Sequence, residues 1–132
     1  MRTIPNPVKE LQEVEVHVED IIYMPGLEHP DDRPFPFAYF VSIHNHTDES
    51  VKITGRKWVV KQENGEIMVI EGEGVMGKNP HLNKGEHFTY QSYHTVSENS
   101  TAEGSFFGVT DSGKPFYTLI PRFHMQLPTV PP

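Results

Sequence analysis

Alternation of apolar and polar side chains is the strongest signal along the chain. In EVEVHVED (13–20), Val14, Val16 and Val18 alternate with Glu13, Glu15, His17 and Glu19. A period of two places the valines on one face of a strand and the polar residues on the other. FAYFVSIHNH (37–46) repeats the pattern, with Phe37, Tyr39, Val41 and Ile43 on one face and Ala38, Phe40, Ser42 and His44 on the other. VKITGRKWVVKQ (51–62) reads as one strand with a defect, because Val51 and Ile53 share a phase that Trp58 and Val60 reverse. One inserted residue near Gly55–Arg56 accounts for the reversal, as a β-bulge does. Asn64-Gly65 predicts a tight hairpin turn, with EIMVIEGEG (66–74) as the return strand. HFTYQSYHTVS (87–97), SFFGVT (105–110), PFYTLI (115–120) and FHMQL (123–127) read as further short strands.

No stretch carries a helical stripe. Turn signals recur every ~8–12 residues, the spacing of a sandwich. The longest irregular stretch, MPGLEHPDDRPFP (24–36), is rich in proline. The expected architecture is therefore all-β, an antiparallel two-sheet β-sandwich of about seven or eight strands. Residues 1–10, with Pro5 and Pro7, are expected to form a loose N-terminal arm; 11–128 form a single domain, and 129–132 a Pro-rich tail.

Charge and composition narrow the functional classes. The 132 residues include 18 acidic and 11 basic side chains, a formal net charge of −7. Nucleic-acid binding needs clustered positive charge, so no nucleic-acid partner is expected. No apolar run approaches the ~20 residues that span a bilayer, so no membrane association is expected either. The chain has no cysteine, which excludes disulfides, cysteine-based zinc sites and a cysteine nucleophile. The first residues, MRTIPNPVKELQEVEVHVED, show no apolar core of a secretory signal, and a cytoplasmic location is expected.

Gly72-x-Gly74-x-x-Gly77 has the spacing of a dinucleotide-binding fingerprint. That fingerprint works only where a strand leads in and a helix starts at the last glycine. Here Pro80 and Gly85 break any helix, and parallel βαβ units are missing. Glu98 lies near the position of a ribose-binding acid but is one of many acidic residues. The glycines are expected to mark a bend or close backbone approach. A weaker alternative is an anion nest of backbone N–H groups, with Lys78 and Arg56 adding charge.

Several segments, in order along the chain, resemble the ApaG domain family: FAYFVSIHN (37–45), the Arg-x-Trp of GRKW (55–58), GEGVMGKNPHLNKGE (72–86) with FTYQS (88–92), and FYTLIPRFHM (116–125) followed by Leu127-Pro128. The resemblance implies a fibronectin type III or immunoglobulin-like sandwich, on which the glycine motif is a family feature. It further implies a kinship with bacterial proteins associated with cobalt resistance and magnesium efflux. Their name comes from a locus shared with a diadenosine tetraphosphate hydrolase. Related eukaryotic domains, one in an F-box protein, favour protein binding, and no catalytic mechanism is established for the fold. Gln91-Ser92-Tyr93 and the Gly104–Val109 segment depart from the family pattern.

The candidate chemistry is sparse. His44 and His46 would share one strand face and are the best metal candidates, with six other histidines scattered along the chain. Trp58 reads as core, and Arg56 as a partner for an acid, an anion or an aromatic ring. Leu27, Phe35 and Phe37 in the Pro-rich loop are candidates for partner contact. Glu71 with Glu73, and Ser92 with His94, do not make a catalytic constellation, and no cofactor is expected. The favoured reading is a non-enzymatic β-sandwich that binds a protein partner, with homodimerisation through sheet edges as a further option. The alternative is a phosphate, nucleotide or divalent-metal sensor using the glycine turn or the histidine pair.

Overall fold

The computed structural model describes residues 7–129, and every regular element among them is a strand. In chain order these are β1 (Lys9–Glu10), β2 (Val14–Tyr23), β3 (Phe35–Asn45), β4 (Val51–Gln62), β5 (Ile67–Glu73), β6 (His81–Leu82), β7 (His87–Val96), β8 (Ser100–Thr110) and β9 (Pro115–Met125). They form two sheets. The larger has the order β1-β9-β8-β4-β5, with β6 also pairing with β4; the smaller has the order β2-β3-β7. All pairings are antiparallel except that of β1 with β9. The architecture is the expected β-sandwich.

The apolar phases of the sequence make the core. Val14 and Val16 of β2 and Phe37, Tyr39, Val41 and Ile43 of β3 are buried, as are Val51, Ile53, Trp58 and Val60 of β4. Phe106, Phe116, Phe123 and Met125 complete the opposing layer. Each such side chain contributes about 1.5–3 kcal/mol on full burial. The phase reversal in β4 coincides with a register shift against β8 between Ile53 and Gly55, so the inserted bulge residue is Thr54.

Four expectations are corrected. PFYTLI and FHMQL are one strand, β9, because Pro121 and Arg122 together oppose Glu103 and re-aim the chain. That bulge keeps Phe116 and Ile120 on the same inner face as Phe123 and Met125 despite the change of phase. β8 starts at Ser100, five residues before the expected strand; its inward residues there, Ser100 and Ala102, carry no strong apolar signal. The arm over 1–10 is not loose throughout, since Lys9–Glu10 pair with Phe116–Tyr117 and the Leu11 N–H donates to the Tyr117 carbonyl at 2.9 Å. Phe35 and Phe37 belong to β3 rather than to the loop, and Phe37 is only 2% exposed. Phe37 packs on Tyr23 and pairs in register with His94, which draws it inward. Residues 1–6 of the arm and 130–132 of the tail lie outside the described residues.

Candidate functional site

The glycine motif forms the crossing from β5 to β6 along one edge of β4. The Gly74 N–H donates to the Thr54 carbonyl at 2.8 Å, which holds the crossing against the bulge in β4. Val75 then drops into the core, with no exposed surface. Met76 and Gly77, both with positive φ (51° and 72°), make a two-residue turn. Reciprocal bonds of 2.7 and 2.9 Å between Val75 and Lys78 close it. Gly74 also has a positive φ, 62°, and a Cβ there would lie 2.3 Å from the Lys78 carbonyl oxygen. Gly72 gives room for a side chain: a Cβ would lie 2.8 Å from the Arg56 guanidinium, which would have to move. That guanidinium donates to the carbonyls of Glu73 and Gly74 at 2.9 and 3.0 Å.

The structure thus brings Arg56, Gly72 and Gly74 together, and the contacts they make are internal. The amides of Gly74, Val75 and Lys78 already donate to carbonyls of the chain, and Arg56 faces carbonyl oxygens. An anion would have to compete with every one of these bonds. Lys78 is exposed at the rim.

The histidine pair behaves differently. His44 lies on the outer face of the smaller sheet, where register sets it directly across from His87 on β7 and from Glu15 on β2. His46 follows the last residue of β3, yet its N–H still donates to the Glu13 carbonyl at 2.8 Å and its ring stacks on that of His44 at 6.0 Å. The buried Asn45 between them fixes the chain's exit by donating to the carbonyls of Glu49 and Leu82. The His17 and His87 rings each lie 5.3 Å from that of His44. Glu15 bridges His17 at 3.0 Å and His46 at 3.4 Å. Desolvation, then repulsion from His17, His87 and His46, lowers the His44 pKa, with Glu15 opposing. In the present rotamers no three His, Asp or Glu side chains among the described residues converge on one ion position. The spacing of His44 and His46 made that pair visible in the sequence. His17 and His87 join it only through strand register.

The two remaining candidates separate clearly. Trp58 is core, with its ring against Tyr39, His94 and Phe123. His94 is buried beside it, with Nε2 3.0 Å from the Tyr39 hydroxyl, and burial pushes its pKa down to about 4. It is a packed core histidine rather than a base for Ser92. The Pro-rich loop, by contrast, borders open surface. Glu28, Pro30 and Arg33 of the loop line a groove with Met68 and Ile70 of β5 and Tyr93 of β7. Leu27 lies in an adjoining hollow of the same loop. Strand β5 ends the larger sheet and leaves Ile67, Val69 and Ile70 60%, 55% and 39% exposed. A separate cavity of about 470 Å³, floored by Leu11 and Phe116, opens near Glu49.

Comparisons with known proteins agree with this geometry. The ApaG domain model matches residues 25–110. Protein ApaG from Methylococcus capsulatus is 33% identical over 117 residues, covering 88% of this chain and 92% of that protein. Protein ApaG from Enterobacter sp. (strain 638) is 35% identical over 109 residues, covering 82% and 87%. The crystal structure of the putative ApaA protein from Bordetella pertussis superposes with a TM-score of 0.76 at 28% identity, over 94% of this chain and all of that one. A further X-ray structure shares the fold with a TM-score of 0.80 at 24% identity, over 89% of each chain. These names specify no reaction. With the sandwich, the Arg-x-Trp and the glycine crossing all in place, the chain belongs to the ApaG domain family.

Proposed function

We propose that this chain is a non-catalytic recognition module that takes up an extended protein segment along the free edge of β5. The observation that carries the reading is the combination of an end strand with exposed Ile67, Val69 and Ile70 and an adjoining groove. An open strand edge presents unpaired N–H and C=O groups, and a partner strand satisfies them. Alternate side chains of such a partner would fall toward Met68 and Ile70 on one face and Val69 on the other. Pro30 and Arg33 form the far wall of the groove, which gives the loop a role in selectivity. Proline limits the loop's freedom before binding and so reduces the entropy lost on association.

The test is selection of random peptides displayed against the immobilised protein. Peptides with alternating apolar residues should be enriched, and Ile70→Lys together with Val69→Lys should weaken their binding at least about tenfold while the melting temperature holds. No enrichment, or enriched peptides indifferent to both lysines, would overturn the reading. Sedimentation of the free protein distinguishes the other occupant of the same edge, a second copy of the chain.

A further inference from the structure

We propose that the outer face of the β2-β3-β7 sheet binds one divalent transition-metal ion through His44, His46 and His87, with Glu15 supplying a carboxylate. The site is distinct from the β5 edge and does not depend on that edge's role. Its basis is the way the sheet places imidazoles. His44 and His46 are two residues apart, so both side chains leave the same face. His87 stands directly across from His44 on β7, and Glu15 directly across on β2. Directly opposed residues in antiparallel strands have Cβ atoms about 4.5–5.5 Å apart.

The ring spacing matches what a shared ion requires. Two imidazoles bound through nitrogens about 2.0–2.1 Å from a tetrahedral ion have ring centres about 5 Å apart. The His44–His87 and His44–His46 separations are 5.3 and 6.0 Å. Two of the three ring separations are therefore already close to the required size. What differs from a loaded site is the aim of the rings. They stack nearly parallel, with interplanar angles of 22° and 6°, and His44 Nε2 contacts the Ser42 hydroxyl at 3.0 Å. His46 Nε2 is turned to Glu15 at 3.4 Å. Converging on an ion takes side-chain rotation only, and these groups are partly or largely exposed, so little packing opposes it.

The chemistry of the donor set points to the same class of occupant. His17 Nε2 lies 3.0 Å from the other oxygen of Glu15, in the position of an outer partner that orients a ligating carboxylate. Imidazole with carboxylate selects zinc, nickel or copper over magnesium and calcium, which prefer all-oxygen sets.

The experiment is titration calorimetry of the full chain, freed of any affinity tag, with Zn²⁺, and with Mg²⁺ as the contrast. Zn²⁺ should bind with one-to-one stoichiometry at pH 7.5. His44→Ala and His87→Ala should each abolish the saturable step, and Glu15→Gln should weaken it about tenfold. His124→Ala, on an exposed position of β9, should leave it intact. All these positions are on the surface, and circular dichroism verifies that each variant is folded. A flat Zn²⁺ isotherm, or one unchanged by the His44 and His87 substitutions, would overturn the proposal. An equal response to Mg²⁺ would overturn the assigned class of ion.

Discussion

The glycine crossing and the histidine face make opposite use of their sequence signals. The crossing carries a spacing that looks like a nucleotide site, and the fold uses it as a mechanical joint. Gly72 makes room for Arg56, Gly74 lets the backbone approach Lys78, and the freed donors are bound within the chain. The histidine face has only a two-residue pattern in sequence, yet register assembles four imidazoles and a carboxylate whose side chains remain open to solvent. The difference lies in where the polar groups point. A motif whose donors are satisfied by the backbone is a structural part, whatever its spacing; a cluster of surface side chains that contact mainly one another is available for a ligand.

Substitution on each side tests this contrast. The largest effect is expected at Gly74→Val. The change forces a β-branched residue into a left-handed conformation and drives its Cβ into the Lys78 carbonyl, so urea unfolding should show a loss of at least about 3 kcal/mol. If stability barely changes, the crossing is not the rigid joint described here.

The next largest effect separates the buried histidine from the surface ones. His94 titrates near about 6.5 in the unfolded chain and at about 4 in the fold. Between those values the unfolded state holds more protons, so stability is complete above the window and falls as pH drops through it. The expected loss by pH 4 is on the order of 3 kcal/mol, read from urea curves at pH 7.5, 5.5 and 4. His94→Gln should flatten that dependence. His44 shifts in the same direction but sits at the surface, and its removal should leave the acid limb in place. The smallest effect is His44→Ala at pH 7.5, where unfolding should change by no more than about 0.5 kcal/mol. A larger loss would make the histidine face a structural part after all.

Much of the sandwich is legible in the chain because one face of each strand is buried. The valines of β2 and the aromatic and aliphatic residues of β3 are the clearest cases. The bulge in β4 is legible too, since Ile53 and Trp58 disagree in phase. The same kind of phase break at Pro121–Arg122 splits β9 into two apparent strands, because proline reads as an end when it sits in a bulge. Phe37 is misplaced by its proline-rich neighbours Pro34 and Pro36, although its own alternation with Tyr39 fits the strand. Of the surface cluster, only His44 and His46 are visible, because they are local. Finding His17 and His87 requires knowing that β3 lies between β2 and β7, and no short window of sequence contains that neighbour relation.

The long seam between β4 and β8 governs when the protein can form as well as how it holds together. β4–β5 and β8–β9 are hairpins that can close from nearby residues, but Val51 meets Thr110 only across 59 positions of the 132-residue chain (110 − 51). Such distant pairings require ordering a large loop before contacts repay it, which is the general reason all-β sandwiches fold in roughly milliseconds to seconds rather than microseconds. A chain emerging from the ribosome can fold its first hairpin early. It must then wait for residues 100–110 before β4 gains its central neighbour, and during that interval one edge of β4 keeps its N–H and C=O groups unpaired, open to whatever strand is nearby.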